Sequence, residues 1–200
     1  MQRFLRLLQW QCNRLLIALI PKRRRILTHD RFVLERRIFR EIYLGGRYRE
    51  ILFAGCKEYT AWYPSLFEFF SAARFETIDA DPESRRFGCR RHHTVGRLED
   101  LAASHRLQEV YDLVILNGLF GYGTDDPDSI RKVVRAGEQL VRPGGSLLIG
   151  FNDLEGPSHF DPAWVSRDRF RPEKIPGLAV EDFLADGSHR HRFICFVKNG

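Results

Sequence analysis

Four residues of types that bind nucleosides stand directly after apolar runs of the sequence. Asp79 ends the second run, where a carboxylate can accept hydrogen bonds from ribose hydroxyls. Gly55 follows the first run and would let the backbone come close to a ligand. Asn117 and Gly118 stand where another buried run emerges. The alternative roles are a helix N-cap for Asp79, which Asp81 fills better, and ordinary turn chemistry for the others.

A sheet of parallel strands would bring these residues together. Strands that alternate with helices form a parallel sheet covered by helices on both faces. Ligands of such a sheet bind beyond the carboxyl ends of the strands, which is where all four residues would lie. The predicted strands are Glu50–Ala54, Phe75–Asp79, His93–Val95, Tyr111–Asn117 and Ser146–Phe151.

Two helices have clear boundary signals. The first, Arg31–Tyr43, is expected to stop at the glycine pair 45–46, because glycine is common just past a helix C-terminus. Asp126 can cap the second helix and Pro127 suits its first position, while the Arg-Pro-Gly-Gly run 142–145 ends it.

The last part of the chain predicts an antiparallel hairpin. Its strands are Leu178–Leu184 and Arg192–Val197, and a turn at 185–187 joins them. Five alternating units closed by a hairpin give an α/β fold with an open sheet of about seven strands.

Positive charge is concentrated near the N-terminus. Residues 1–50 hold 13 Lys or Arg against four Asp or Glu, although the net charge of all 200 residues is only +6. We therefore divide the chain into a basic helical arm, 1–46, and a domain, 47–200. Apolar residues at helical spacing followed by Lys22–Arg25 favour either peripheral contact with an anionic membrane or a helix packed on the domain. Nucleic acid is the least favoured partner, because the aromatic residues among the basic ones follow a helix pattern.

Composition excludes several classes of protein. A chain with 44% hydrophobic residues is neither disordered nor collagen-like. The run Leu15–Ile20 is shorter than the ~20 residues of a membrane span and has no signal cleavage site, so neither feature is expected. The four cysteines lie far apart, which predicts no metal site, no disulfide framework and a cytoplasmic location. A nicotinamide dehydrogenase is disfavoured because no GxGxxG follows the first strand.

Two segments resemble a known enzyme family. The strand Tyr111–Asn117, the helix after it and the run Leu140–Ile149 resemble the fourth and fifth motifs of class I S-adenosylmethionine-dependent methyltransferases. The segment Thr77–Pro82 is similar to the one after their second strand. The resemblance covers about 49–152 and the terminal hairpin. It implies a Rossmann-like, mostly parallel sheet of order 3-2-1-4-5-7-6 with strand seven antiparallel, and S-adenosylmethionine as cofactor.

The resemblance also implies roles for residues at the strand ends. Asp79 would hold the cofactor's ribose, Gly55 would lie under its methionine part, and the segment 96–99 would flank its adenine. The cofactor-binding residues that we expect are Gly55, Lys57, Tyr59, Asp79, Ala80, Leu98, Glu99, Asn117 and Gly118.

The first loop departs from the family's pattern. Phe53, Lys57 and Tyr59 stand where the family usually has an acid and two glycines. Lys57 would pair with the methionine carboxylate, and Tyr59 would face the sulfonium, because aromatic rings attract cations by ~0.5–2 kcal/mol. The alternative is that the loop 58–67 is an aromatic lid packed on the core.

Methyl transfer to a hydroxyl gains from a general base beside the acceptor. The candidates are His93, with His92 beside it, His159 in the loop after the fifth strand, and Tyr122. The alternative for each histidine is an ordinary surface position.

The favoured function is methyl transfer from S-adenosylmethionine to a small-molecule or glycan-precursor acceptor, on oxygen. The strings 55–60, 117–123 and 150–153 are similar to a subgroup of methyltransferases in bacterial surface-polysaccharide clusters. The alternative is a catalytically inactive relative that binds a partner or acts as a scaffold, which the unusual first loop favours.

Overall fold

A single mixed sheet organises the part of the chain that the computed structural model describes, residues 29–104, 108–122, 124–153, 159–185 and 190–200. The strands in these ranges are β1 (Glu50–Ala54), β2 (Arg74–Asp79), β3 (His93–Val95), β4 (Tyr111–Asn117), β5 (Val141–Asn152), β6 (Phe170–Pro172), β7 (Asp182–Leu184) and β8 (His191–Lys198). Their order is β3-β2-β1-β4-β5-β8-β6, and β7 also pairs with β8. Strands β1 to β5 are parallel, whereas β8 is antiparallel to β5. This is the predicted Rossmann-like order, with one strand more than predicted.

Four helices and three 3₁₀ segments connect the described strands. Helix α1 comprises three consecutive segments, Asp30–Val33, the π-helical Leu34–Ile38, and Phe39–Gly45. The others are α2 (Tyr63–Phe70), α3 (Leu98–Ala103) and α4 (Pro127–Leu140), and the 3₁₀ segments are Glu58–Thr60, Pro82–Arg86 and Pro162–Trp164. Two predicted signals are confirmed: Gly46 ends α1 in the left-handed conformation, and the Asp126 carboxylate accepts hydrogen bonds from the backbone N–H groups of Asp128 and Ser129.

The fifth strand begins earlier than predicted. Helix α4 ends at Leu140, and Val141 then pairs directly with Tyr111 of β4. The run 142–145 therefore lies inside β5 as an irregularity, where the register with β4 shifts between Tyr111 and Leu113. The prediction that this run ends the helix is therefore wrong, because the helix stops at Leu140 and the strand has begun before the run is reached.

The terminal hairpin is confirmed, with a shorter first strand than predicted. Residues 175–180 form a turn in which the Ile175 N–H donates to the Val180 oxygen and the Leu178 N–H to the Ile175 oxygen. The turn buries Ile175 and Leu178 in the core, so β7 starts only at Asp182. Strand β6, which was not predicted, pairs beside β7 on the outer edge of β8. Most of the predicted turn, 186–187, lies outside the described residues.

Apolar side chains on the two faces of the sheet form two core clusters. Helices α3 and α4 cover one face, together with Phe160. Helices α1 and α2 cover the other, where Phe39, Phe53 and Phe67 pack edge to face with Tyr63 or with one another. Alternation along each strand explains how both faces are apolar.

Helix α1 falls inside the predicted arm and is part of this core. Its residues Val33, Ile38 and Phe39 are fully buried. Residues 1–28, which carry the rest of the predicted arm, lie outside the described residues, so the arm's boundary and its contact with an anionic membrane stay predictions. In the ranges that the structure describes, every helix is too short or too polar to cross a bilayer.

Asp112 joins the first strand to the fourth at their amino ends. Its buried carboxylate accepts hydrogen bonds from the N–H groups of Arg49, at 2.6 Å, and Glu50, at 2.9 Å, and forms an ion pair with Arg142. Each of these partners would be left without an acceptor or a counter-charge if the carboxylate were removed, and unsatisfied buried groups are costly.

We expect Asp112→Ala to lower the free energy of unfolding by about 2–4 kcal/mol, because it breaks a buried network. Urea denaturation measures this quantity. The control is Asp128→Ala, whose exposed carboxylate pairs with Arg131 and is worth less than ~1 kcal/mol. Equal losses in the two variants would contradict the role given to Asp112.

Candidate active site

A cavity of about 340 Å³ opens at the carboxyl ends of β1, β2 and β4. This is where the winding of the sheet reverses, since the chain runs outward through β2 and β3 and then returns to β4 beside β1. Open α/β sheets bind their ligands at such a point. All of the predicted cofactor-binding residues line this cavity: Gly55, Lys57, Tyr59, Asp79, Ala80, Leu98, Glu99, Asn117 and Gly118.

The Asp79 carboxylate connects two of the loops around this first cavity. Its Oδ2 accepts a hydrogen bond of 2.6 Å from the Cys56 N–H, and its Oδ1 accepts one of 2.8 Å from the Asp81 N–H. The helix-capping role belongs to Asp81, which accepts from the Glu83 N–H. A carboxylate has about four lone-pair sites, so Asp79 keeps acceptor capacity for a ligand in the cavity.

Gly55 forms part of the cavity floor. Its φ of 93° lies in the region that favours glycine. A Cβ there would lie 2.9 Å from Leu119 Cδ2 and 3.3 Å from the Asn117 backbone oxygen. The sharp turn after β1 therefore depends on this glycine, which also keeps the floor free of a side chain.

The first loop combines the two predicted arrangements, a set of cavity-lining residues and an aromatic segment packed on the core. Lys57 and Tyr59 line the cavity, whereas Tyr63 and Phe67 are buried in the core beneath it. The Arg31 guanidinium lies over the Tyr59 ring, 4.0 Å from its centroid. One face of Tyr59 therefore already contacts a cation from α1.

Apolar and charged groups form the opposite wall. Leu98 is buried, and Val133 of α4 lies beside it along the cavity. Glu99 is paired with Arg97 at 2.9 Å, so its carboxylate is already partly neutralised. This wall offers an apolar surface with one acidic group at its edge.

A second cavity of about 240 Å³ adjoins the first. The two cavities share Tyr59, Asn117, Gly118 and Tyr122. The remaining walls of the second cavity come from the start of α1, from the first residue of α2 and from the β5–β8 pair, namely His29, Asp30, Arg31, Leu34, Tyr63, Asn152, His191 and Phe193.

His191 lies in the wall of the second cavity between two carboxamides. Its Nδ1 is 2.8 Å from Asn152 Oδ1 and its Nε2 is 3.1 Å from Asn117 Oδ1. The Asn152 side-chain N–H donates in turn to the Tyr122 oxygen at 3.4 Å. His191 and Asn152 were not predicted as site residues, although the predicted strand Arg192–Val197 begins directly after His191. An antiparallel strand starts beside the end of its partner, and here His191 pairs with Asn152.

The structure separates the predicted catalytic residues. Tyr122 lines both cavities. His93 lies instead against Thr77, with 2.9 Å between Nδ1 and Oγ1, and burial lowers its pKa. His92 lines a different cavity beside Arg74 and Phe75, at the amino end of β2. His159 lines neither of the two adjoining cavities, and it follows residues 154–158, which lie outside the described residues.

A partly buried carboxyl group stands behind the second cavity. Glu35 lies in the π-helical segment of α1 and accepts a hydrogen bond of 3.1 Å from the Tyr63 hydroxyl. Desolvation raises the pKa of Glu35 from 4.5 to about 7, against the opposing effects of Tyr63 and of the nearby Arg36 and Arg31. Glu35 therefore changes its charge near neutral pH, one side chain away from the cavity.

The fold is that of the class I S-adenosylmethionine-dependent methyltransferases, as comparison with solved structures shows. The N-methyltransferase NodS from Bradyrhizobium japonicum WM9 aligns with a TM-score of 0.62 at 16% identity, over 87% of this chain and 100% of that one. A TehB-like SAM-dependent methyltransferase from Corynebacterium glutamicum aligns with 0.55 at 16%, over 80% and 86%.

A third similar structure holds two bound molecules. The 1,6-didemethyltoxoflavin-N1-methyltransferase from Burkholderia thailandensis, solved with 1,6-didemethyltoxoflavin and S-adenosylhomocysteine, aligns with a TM-score of 0.51 at 16% identity, over 80% of this chain and 75% of that one. No protein-family model and no curated protein sequence matches this chain.

Glu35→Gln tests the raised pKa of this acid. An acid whose pKa is higher in the folded state binds more protons there, so the free energy of unfolding falls as pH rises from 4.5 to about 7. We expect the variant to gain about 2 kcal/mol relative to the wild type over that window, less than the full shift because Glu35 is only partly buried. Urea denaturation at several pH values measures the difference.

Glu41→Gln, at an exposed position of the same helix, is the control and should show a nearly constant difference from the wild type. A pH-independent difference for Glu35→Gln as well would show that Glu35 titrates normally.

Proposed function

We propose that this protein transfers a methyl group from S-adenosylmethionine to a small-molecule acceptor. One observation carries the proposal: the first cavity lies at the point where the sheet's winding reverses, with the Asp79 carboxylate and the Gly55 turn in its wall. The similar toxoflavin enzyme holds S-adenosylhomocysteine, which supports the same cofactor here.

The residues of the first cavity fit this cofactor. Asp79 has acceptor capacity for ribose hydroxyls, and the Gly55 turn lets the backbone approach the methionine part. Leu98 and Val133 provide an apolar surface for the adenine. When bound, the cofactor supplies a methyl group on a positively charged sulfur. Lys57 lies on the same wall, where its ammonium is suited to the methionine carboxylate.

The acceptor would occupy the second cavity. Asn117, Tyr59 and Tyr122 belong to both cavities, so a molecule in the second one lies next to the first. We propose oxygen as the methylated atom, because a hydroxyl acceptor needs a group that takes its proton, and the second cavity has an imidazole and phenols in its wall. Holding donor and acceptor side by side is the main contribution of such a site.

Three finer predictions are also part of this proposal. A glycan precursor is one class of small-molecule acceptor, and it follows from the sequence resemblance. A place in surface-polysaccharide synthesis and a cytoplasmic location follow from the sequence resemblance and the cysteine pattern alone.

Calorimetric titration with S-adenosylhomocysteine tests the proposed cofactor. We expect binding by the wild type and a loss of about 10–100-fold in affinity for Asp79→Asn, because hydrogen bonds to a charged group are worth about 1.5–3 kcal/mol. The control is Glu83→Gln, an exposed carboxyl group outside the cavity.

Absence of binding by a correctly folded wild type would refute the methyltransferase proposal and would favour the inactive, partner-binding alternative. Thermal unfolding of Asp79→Asn separates lost affinity from lost structure, because Asp79 also accepts the Cys56 N–H.

A further inference from the structure

A separate cavity lies at the amino end of β2. Its volume is about 670 Å³, and small-molecule sites typically have ~300–1,000 Å³. Its walls come from α2 and the residues after it, from the start of β2, and from the segment 89–92 that precedes β3. The described residues around this amino-end cavity line neither the first nor the second cavity. The amino-end cavity is therefore separate from the proposed active site.

The register of β2 with β3 leaves room for this cavity. Thr77 lies opposite His93, the first residue of β3, so residues 74–76 of β2 have no partner on this side among the described strands. Gly88 lets the chain pass close to this pair, because a Cβ there would lie 2.1 Å from His93 Nδ1 and 2.7 Å from Thr77 Oγ1. The segment 89–92 then runs next to the unpaired part of β2.

Three hydrogen bonds hold both ends of the segment 89–92 on β2. The Cys89 thiol donates to the Phe75 backbone oxygen at 2.9 Å, and the Cys89 N–H donates to Thr77 Oγ1 at 2.8 Å. At the other end, the Thr77 N–H donates to the His92 backbone oxygen at 2.9 Å. The two residues between these ends take no part in the three bonds. Their backbone is therefore held at both ends, while their side chains stay available for other contacts.

The residues between the anchored ends are two arginines, Arg90 and Arg91, which line the cavity and are exposed. In the part of the chain that the structure describes, neither pairs with a carboxylate. Arg74 lines the cavity as well, and it pairs with Glu76 at 2.6 Å. Glu68 is the one carboxylate that the described residues contribute to this lining. Since arginine is always charged near neutral pH, the described lining carries a net positive charge.

Two neighbouring guanidinium groups are suited to a phosphate group. Each guanidinium has a planar fork of N–H donors that binds two oxygens of an anion at once. A carboxylate has only two oxygens, which one fork occupies, whereas a phosphate monoester has three terminal oxygens and a larger charge. Other parts of the wall are apolar and contain Pro64, Ala73 and Phe75. The organic group of a phosphate ester would contact these residues.

We propose that the amino-end cavity binds a phosphate monoester, with Arg90 and Arg91 holding its terminal oxygens. The proposal does not rest on methyl transfer, because this cavity lies at the amino end of β2 and the first cavity at the carboxyl ends of the strands. A soluble ester and the headgroup of a phospholipid offer the same chemistry. Single-stranded RNA fits less well, because binding of its bases needs exposed aromatic rings, and Phe75 is buried.

The first test is calorimetric titration of the full chain with phenyl phosphate. We expect saturable binding, and a loss of about 10–100-fold in affinity for Arg90→Gln/Arg91→Gln, because hydrogen bonds to a charged group are lost. The matched control, Arg167→Gln/Arg171→Gln, removes the same charge from exposed positions beside and in β6 and should bind as the wild type does. Arg90→Lys/Arg91→Lys keeps the charge without the forks, so its affinity should lie between those of the wild type and Arg90→Gln/Arg91→Gln.

The second test distinguishes the two sources of the phosphate. The full chain is sedimented with phosphatidylcholine vesicles that contain or lack phosphatidic acid. If the headgroup is the ligand, phosphatidic acid should increase the bound fraction, and Arg90→Gln/Arg91→Gln should abolish that increase. If a soluble ester is the ligand, phenyl phosphate binds, and the wild type and this variant sediment alike with both kinds of vesicle.

Equal affinity for phenyl phosphate in the wild type and in Arg90→Gln/Arg91→Gln would overturn the proposal. So would absence of wild-type binding to both phenyl phosphate and the phosphatidic acid vesicles. Displacement of phenyl phosphate by S-adenosylhomocysteine would place it in the first cavity and would also overturn the proposal. An RNA oligonucleotide that binds through these arginines when phenyl phosphate does not would assign the surface to nucleic acid instead. Failure of S-adenosylhomocysteine to bind refutes only the proposed function.

Discussion

The level at which three parallel strands end sets the geometry of the first cavity. In the registers of β1 with its two neighbours, Ala54 lies opposite both Ile78 and Leu116. The next residues along the three strands are Gly55, Asp79 and Asn117, which therefore emerge side by side. A turn glycine, a carboxylate and a carboxamide far apart in sequence thus become neighbours. Backbone hydrogen bonding of the sheet enforces this row, and the Asp79 bond to the Cys56 N–H reinforces it.

The antiparallel strand adds what the parallel strands cannot supply. Because β8 runs against β5, its first residue returns to the edge where the parallel strands end. His191 thereby meets Asn152 and Asn117, although 74 residues separate it from the latter. The two cavities share a wall because β4 ends between them. The reversed direction of β8 therefore places the His191 imidazole beside the cavities, whereas the parallel strands contribute their carboxyl ends and the loops that follow them.

Helix α1 connects the second cavity to the core. Its buried side chains pack with Phe67 and Phe53, while its first residues form the cavity wall. The π-helical segment between these parts contains Glu35, and π-helical insertions are frequent at functional sites. The Tyr63 hydroxyl joins this carboxyl group to the cavity wall, and Tyr63 is itself held in the aromatic cluster. A shift of α1 in the core would therefore move the wall of the second cavity, because the Phe39 ring of α1 packs against the Tyr63 ring that lines this cavity.

Short sequence patterns predicted most of the fold, and they also predicted Gly55, Asp79 and Asn117, the residues at the carboxyl ends of three strands at the first cavity. Strands β1, β3 and β4 have the predicted bounds, since short apolar runs between helical stretches leave little choice of register. The two catalytic histidines chosen from sequence, His93 and His159, do not line the adjoining cavities, because the direction of a side chain depends on strand alternation and loop path. The turn at 175–180 shortened a predicted strand for a similar reason, since burial of Ile175 and Leu178 outweighed local preference.

By itself, then, the amino-acid order determined the alternating elements, the strand ends and the acid, amide and glycine that stand there, because these depend on neighbours a few residues away. Tertiary structure alone decided that His191 and Arg31 face one aromatic cavity. The cavity lies between the start of the first described helix and the start of the last strand, and only the pairing of β5 with β8 and the packing of α1 on the sheet bring these two segments to the same cavity.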